Sequence, residues 1–159
     1  SFLDDEEINN IIESQYLNFP DTMNYLTEGV LRYALSKVGC AYDQAQHWNT
    51  TVDIFDCSSL AYYAWQSAGI SIKYGGSNTA AAEAEYCAKN GKTVSPKDMK
   101  PGDLIFYSFT NNGRYKNISH VAIYIGNGKI VEAVDENHGV VYGNFYNKGL
   151  VMIGTPKKK

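Results

Sequence analysis

Ser119-His120-Val121-Ala122-Ile123-Tyr124-Ile125-Gly126-Asn127-Gly128-Lys129-Ile130-Val131-Glu132-Ala133-Val134 sets two apolar stretches on either side of a Gly-Asn-Gly turn. β-Branched and aromatic residues favour extended chain, and glycine and asparagine accept the positive φ that a tight hairpin needs. The segment predicts an antiparallel pair. Leu104-Ile105-Phe106-Tyr107, Val140-Val141-Tyr142 and Leu150 to Ile153 read as further strands of the same sheet.

Upstream of Pro101-Gly102 the pattern is helical. Leu26, Val30, Leu31, Ala34 and Leu35 make one apolar stripe, which predicts a helix over residues 23–38 with Asp21 or Thr22 as its cap. A second helix is expected from Cys57 to Ala68, and an alanine-rich third from Thr79 to Lys89. Residues 41–51 show no period and read as a loop. Helices first and an antiparallel sheet second define an α+β chain, with N-terminal helices packed on the sheet. Residues 1–22 read as an acidic linker or helical extension. Asp4, Asp5, Glu6 and Glu7 suit a helix N-terminus, Leu3, Ile8, Ile11, Ile12 and Tyr16 recur at helical spacing, and Pro20 breaks the run.

The 159 residues, 44% hydrophobic and 19% charged, fit one domain with a proper core. A net charge of −3 argues against a nucleic-acid partner, which calls for a basic face. No apolar run approaches the roughly 20 residues of a spanning helix, and no signal-peptide pattern opens the chain. A start at Ser1 rather than Met fits a processed piece of a longer protein, so that missing signal does not imply a cytoplasmic home. Cys40, Cys57 and Cys87 are too few and too scattered for a disulfide framework or a zinc site, and nothing points to a metal or organic cofactor. The 13 tyrosines are read as packing rather than sugar-stacking residues.

An odd thiol count directs attention to a reactive cysteine. Cys57 follows Asp56 where a helix begins, and unpaired backbone N–H groups there favour a thiolate. Such settings lower a thiol pKa from roughly 8.5 to between about 3.5 and 7.5. They can also cradle the oxyanion formed by attack on a carbonyl. Cys40 and Cys87 read as buried structural thiols. Of the three histidines, His47 lies in the irregular loop and His138 in a polar turn, so both read as surface residues. His120 heads an apolar strand, where packing would fix its ring as the base for Cys57.

Four stretches in this order resemble the NlpC/P60 peptidases, bacterial cell-wall hydrolases. They are Ala34-Leu35-Ser36-Lys37-Val38-Gly39 with Tyr42, then Asp56-Cys57-Ser58-Ser59-Leu60, then Lys100-Pro101-Gly102-Asp103-Leu104-Ile105-Phe106, and last His120-Val121-Ala122-Ile123-Tyr124-Ile125-Gly126-Asn127-Gly128-Lys129. The resemblance spans about Leu31 to Ile153. It implies a papain-like fold, with residues 23–159 as the catalytic domain. It also implies a peptidoglycan endopeptidase, typically cutting between γ-D-glutamate and diaminopimelate or lysine, with stem peptides as its partner and a place outside the membrane. An upstream domain in a longer parent would fit. By the same resemblance Tyr42 helps hold the oxyanion, Asp56 and Ser58 line the cleft, and Glu132 is the third member of the triad. Capping the helix is an equally good account of Asp56.

The sequence departs from the family pattern at Ser59, at Asp43-Gln44-Ala45, and at Lys73-Tyr74-Gly75-Gly76-Ser77, which lacks a common Pro-Arg pair. Rival readings are an amidase cutting between muramic acid and alanine, a cross-bridge peptidase of CHAP type, and an inactive wall-binding domain.

Hairpin register bears on Glu132. A three-residue Gly126-Asn127-Gly128 loop pairs Ile125 with Lys129 and makes Glu132 the diagonal neighbour of His120. A two-residue Asn127-Gly128 loop pairs Gly126 with Lys129, and Asp135 then faces His120 instead.

Overall fold

The structure, a computed structural model, describes residues 2–45, 48 and 53–158. His47, much of the loop expected over residues 41–51, and Lys159 lie outside the described residues. Among those described are four helices: α1 (Asp5–Asn18), α2 (Tyr25–Ser36), α3 (Cys57–Gln66) and α4 (Ala80–Asn90). The strands are β1 (Ala41–Tyr42), β2 (Ile54–Phe55), β3 (Lys92–Val94), β4 (Leu104–Tyr107), β5 (His120–Gly126), β6 (Lys129–Ala133), β7 (Val140–Asn144) and β8 (Leu150–Thr155). None of these helices is long and apolar enough to cross a membrane.

β3 to β8 form one antiparallel sheet in the order β3-β8-β4-β5-β6-β7. Alternation along β4 and β5 divides its faces. Leu104, Phe106, Val121, Ile123 and Ile125 join α1 to α4 in the main core, while Ile105, Tyr107, Ala122 and Tyr124 pack on the other face. Trp65 of α3 is fully buried, and its indole N–H donates to the Gly102 carbonyl at 3.1 Å, anchoring α3 to the entry of β4. Truncating a buried tryptophan of this kind costs about 3–5 kcal/mol.

Two expectations change in detail. Asn24, not Asp21 or Thr22, caps α2, its side chain accepting from the Thr27 N–H at 2.9 Å. The loop read from residue 41 opens with a short strand instead. β1 and β2 pair in parallel, Ala41 with Ile54 and Tyr42 with Phe55, a two-residue ladder too short to leave a sequence period. The acidic segment is a helix docked on the domain. Asp4 and Glu7 close a capping box at its start, Ile8 and Ile12 are buried in the main core, and the Asn18 amide donates to Asn127 in the β5–β6 turn at 2.8 Å.

That turn combines both registers considered above. Gly126 pairs with Lys129, and Asn127 and Gly128 take φ of 55° and 74°, as a two-residue turn requires. A bulge between Tyr124 and Gly126 then absorbs one residue, so Tyr124 pairs with Ile130 and Ile123 with Val131. Beyond the bulge the register is that of the three-residue alternative. Glu132 comes diagonal to His120.

Candidate active site

Asp56 caps α3. Its carboxylate accepts from the Ser59 N–H at 2.8 Å and the Ser59 hydroxyl accepts from the Asp56 N–H at 3.0 Å, so Cys57 is the first helical residue. The Ser58 hydroxyl also reaches the Asp56 carboxylate at 3.3 Å. Capping and cleft lining are both roles of Asp56, because Asp56, Cys57 and Ser58 border a cleft of about 600 Å³.

The Cys57 sulfur lies beside the backbone N–H groups of Ser58 and of Val121, the residue after His120, and both favour its thiolate. α3 therefore delivers the thiol to the head of β5. The thiol is partly exposed to the cleft, yet dense surroundings push it up to about 12, first through loss of solvent and then through the nearby Asp56 charge. This corrects the expectation of a thiol lowered by its helix position. The two N–H contacts act in the expected direction and are outweighed by burial. Cys40 and Cys87 are buried in the main core with raised thiols, again chiefly through burial.

At the head of β5, His120 Nε2 lies 2.7 Å from Glu132 Oε1, with side-chain exposures of 11% and 12%. Solvent screens such a pair weakly. Asp135 is elsewhere. It bonds His138 at 2.7 Å, which holds that carboxyl below its usual range in an exposed turn.

Tyr42 reaches this neighbourhood through the β1–β2 ladder, which sets it beside Phe55, two residues before Cys57. Its hydroxyl is pushed up to about 12 by burial and by the charges of Cys57 and Asp56, so it remains a donor at neutral pH.

Sequence reasoning missed the shell behind the histidine. The Tyr146 hydroxyl donates to the same Glu132 oxygen at 2.8 Å, and the Tyr107 hydroxyl donates to the Tyr146 carbonyl at 2.8 Å. Tyr107 stacks on Tyr146 at 4.5 Å and on Phe109 at 5.7 Å, and the His120 ring leans on Tyr107 and Phe109. Tyr107 was legible only as a strand residue, and Tyr146 follows β7 with no local period to mark it. Glu83 of α4 was missed as well. It is fully buried without a hydrogen-bond partner among the described residues, and burial followed by the Asp56 charge holds its carboxyl well above the usual range.

A thiol at a helix start, set against a strand-borne histidine and its carboxylate over an antiparallel sheet, is the papain-like arrangement of a cysteine hydrolase. The model of the NlpC/P60 family matches residues 43–152. The chain is 33% identical over 120 residues to the probable endopeptidase p60 of Listeria monocytogenes, covering 76% of this chain and 21% of that protein. It is 39% identical over 74 residues to the peptidoglycan DL-endopeptidase CwlO of Bacillus licheniformis, covering 46% of this chain and 14% of that protein. Among solved structures, NlpC2 of Trichomonas vaginalis superposes with a TM-score of 0.68 at 26% identity, over 87% of this chain and 49% of that one. The chain belongs to the NlpC/P60 family. It spans about a fifth of the length of the p60 relative.

Proposed function

We propose that this chain is a peptidoglycan endopeptidase that hydrolyses the stem peptide at the bond from γ-D-glutamate to diaminopimelate or lysine, through an acyl-enzyme on Cys57. The observation that carries the reading is Cys57 at the N-terminus of α3, its sulfur beside the Val121 N–H at the head of β5, where His120 pairs with Glu132. The names of the p60 and CwlO relatives support the reaction class.

In this reading the Cys57 proton passes to His120, and the imidazolium that forms faces the Glu132 carboxylate. The thiolate attacks the peptide carbonyl. Backbone N–H groups at the start of α3 and the Tyr42 hydroxyl hold the oxyanion. His120 then returns the proton to the leaving amine, which releases the C-terminal fragment. Water activated by the neutral imidazole hydrolyses the thioester. Asp56 and Ser58 form the wall of the cleft next to the nucleophile. The substrate implies action outside the membrane, at the bacterial wall.

Digesting purified peptidoglycan and identifying the new termini by mass spectrometry tests the proposal, with Cys57→Ala as control. New amino groups on diaminopimelate or lysine support it. A new alanine terminus freed from muramic acid indicates an amidase, cleaved cross-bridges indicate CHAP-type action, and no Cys57-dependent products indicate an inactive domain.

A further inference from the structure

The cleft beside Cys57 carries two cations on a chain whose net charge is −3. Lys73 stands immediately before the Tyr74–Ser77 turn, and Arg114 comes from the segment between β4 and β5. Among the described residues, the Arg114 guanidinium has no side-chain partner, and the Lys73 ammonium has only the face of the Tyr62 ring, 5.5 Å away. Asn78 lines the same cleft, and among the described residues both its amide nitrogen and its amide oxygen are buried and unpartnered. A buried amide without partners is costly, and cations that neutralise nothing of their own are available to a ligand.

Both cations stand on held backbone. Gly75 and Gly76 take φ of 59° and 76°, and Tyr74 and Ser77 exchange two backbone hydrogen bonds of 3.0 Å across them. On the other side, the Arg114 N–H donates to the Asn112 side chain at 3.0 Å, the Gly113 N–H to the Asn117 side chain at 2.9 Å, and the Asn112 amide to the Ile118 carbonyl at 3.0 Å. Lys116 and Asn117 take φ of 51° and 54° in that segment. The only carboxylate among the described lining residues, Asp56, belongs to the α3 cap.

We infer that Arg114, Lys73 and Asn78 form a carboxylate subsite, so that the preferred substrates are stem peptides bearing a free carboxylate close to the scissile bond. This rests on the peptidase reading and adds its selectivity. A γ-linked glutamate leaves its α-carboxyl free a few bonds from the carbonyl that Cys57 attacks, which makes it one source of the anion. The terminal carboxylate of the peptide is the other. A planar guanidinium takes a carboxylate through paired hydrogen bonds, the lysine adds a point charge, and the Asn78 amide can donate to the same group. Converting that carboxylate to a carboxamide removes the charge and sets an NH₂ group against the cations.

The test is binding, read separately from turnover. Cys57→Ala protein is titrated calorimetrically with three synthetic stem tetrapeptides: one with both carboxylates free, one amidated at the glutamyl α-carboxyl, and one amidated at the C-terminus. The expected result is a Kd weaker by about tenfold on amidating the carboxylate that binds, the scale of removing one charge-assisted hydrogen bond at a partly exposed site. The glutamyl arm assigns the subsite to the side group, and the terminal arm assigns it to the chain end. Adding Arg114→Gln or Lys73→Gln should bring the ratio of the Kd values toward one, Arg114→Lys should retain part of it, and raised salt should narrow it. Equal Kd values for all three peptides, or a preference that survives both substitutions, overturns the inference. Failure of the wild-type protein to cleave any of them would instead refute the peptidase reading, and the binding ratios would stand on their own.

Discussion

His120→Ala should shift the reactivity of Cys57 to strongly alkaline pH, and the size of the shift follows from the burial of the thiol. With its thiol pushed up to about 12, Cys57 unaided would be ionised in about one molecule in 10⁵ at pH 7. The sign is that of an acid with a raised pKa: the neutral form dominates at every pH below about 12, and the thiolate appears only as pH climbs towards that value. Neutral reactivity therefore requires the proton to move to His120. The resulting ion pair is held by Glu132 at 2.7 Å, in a pair only 11% and 12% exposed. A hydrogen bond to a charged group contributes about 1.5–3 kcal/mol net, so Glu132→Gln should slow ionisation-dependent chemistry about ten- to a hundredfold. His120→Ala should slow it by several orders of magnitude. The assay is the rate of iodoacetamide alkylation from pH 5 to 10.5, with the labelled peptide identified by mass spectrometry. Cys40 and Cys87 are buried and give little background. Wild-type labelling rates at pH 7 in His120→Ala would refute the reasoning, as would a Glu132→Gln protein that reacts as fast as the parent.

Tyr42→Phe should lower kcat by about 10²–10³ with little change in KM, since one oxyanion donor is removed and the ring is kept; an unchanged kcat on stem peptides returns Tyr42 to packing. Tyr146→Phe keeps the stack on Tyr107 but deletes the 2.8 Å bond to Glu132, so kcat should drop severalfold while the circular dichroism melt stays close to that of the parent. An unaltered kcat would show that Glu132 is held without it. Asp103 is raised from 3.8 to about 7 by burial, so between those values the folded state keeps a proton that the unfolded chain has released. Stability from this group is then greatest at low pH and is lost as pH rises from about 4 to 7. Asp103→Asn should accordingly gain Tm relative to the parent from pH 4.5 to 7.5, and melts that run parallel across that window contradict the assignment.

Periodicity made most of the fold legible. The stripe through Leu26, Val30, Leu31, Ala34 and Leu35 faces the core as α2, and the apolar run after Ser119 is a buried strand, because each burial pattern is imposed by the period of its own element. Local chemistry likewise marked the start of α3, since an Asp-Cys-Ser-Ser step carries its own cap. Two-residue pairings such as β1 with β2 have no period to detect, and the ladder that sets Tyr42 beside Phe55 came only from the folded chain.

The residues of the site divide in the same way. Sequence alone determined that a helix-initiating Cys57 and a strand-heading His120 are present, because both signals are local. Their relative placement depends on α3 packing against β5, two segments far apart along the chain. Register shows the boundary most clearly. The Gly-Asn-Gly turn admitted two pairings, and the structure combines the turn of one with the register of the other through a single bulge before Gly126. The bulge alone puts Glu132, rather than Asp135, against His120, because a one-residue slip turns every side chain of a strand to its opposite face. Tertiary structure also decided the state of the thiol. A helix N-terminus favours the thiolate wherever it occurs, but the loss of solvent that outweighs it at Cys57 comes from segments distant in the chain packed around a partly exposed residue, and no local stretch of sequence encodes that density.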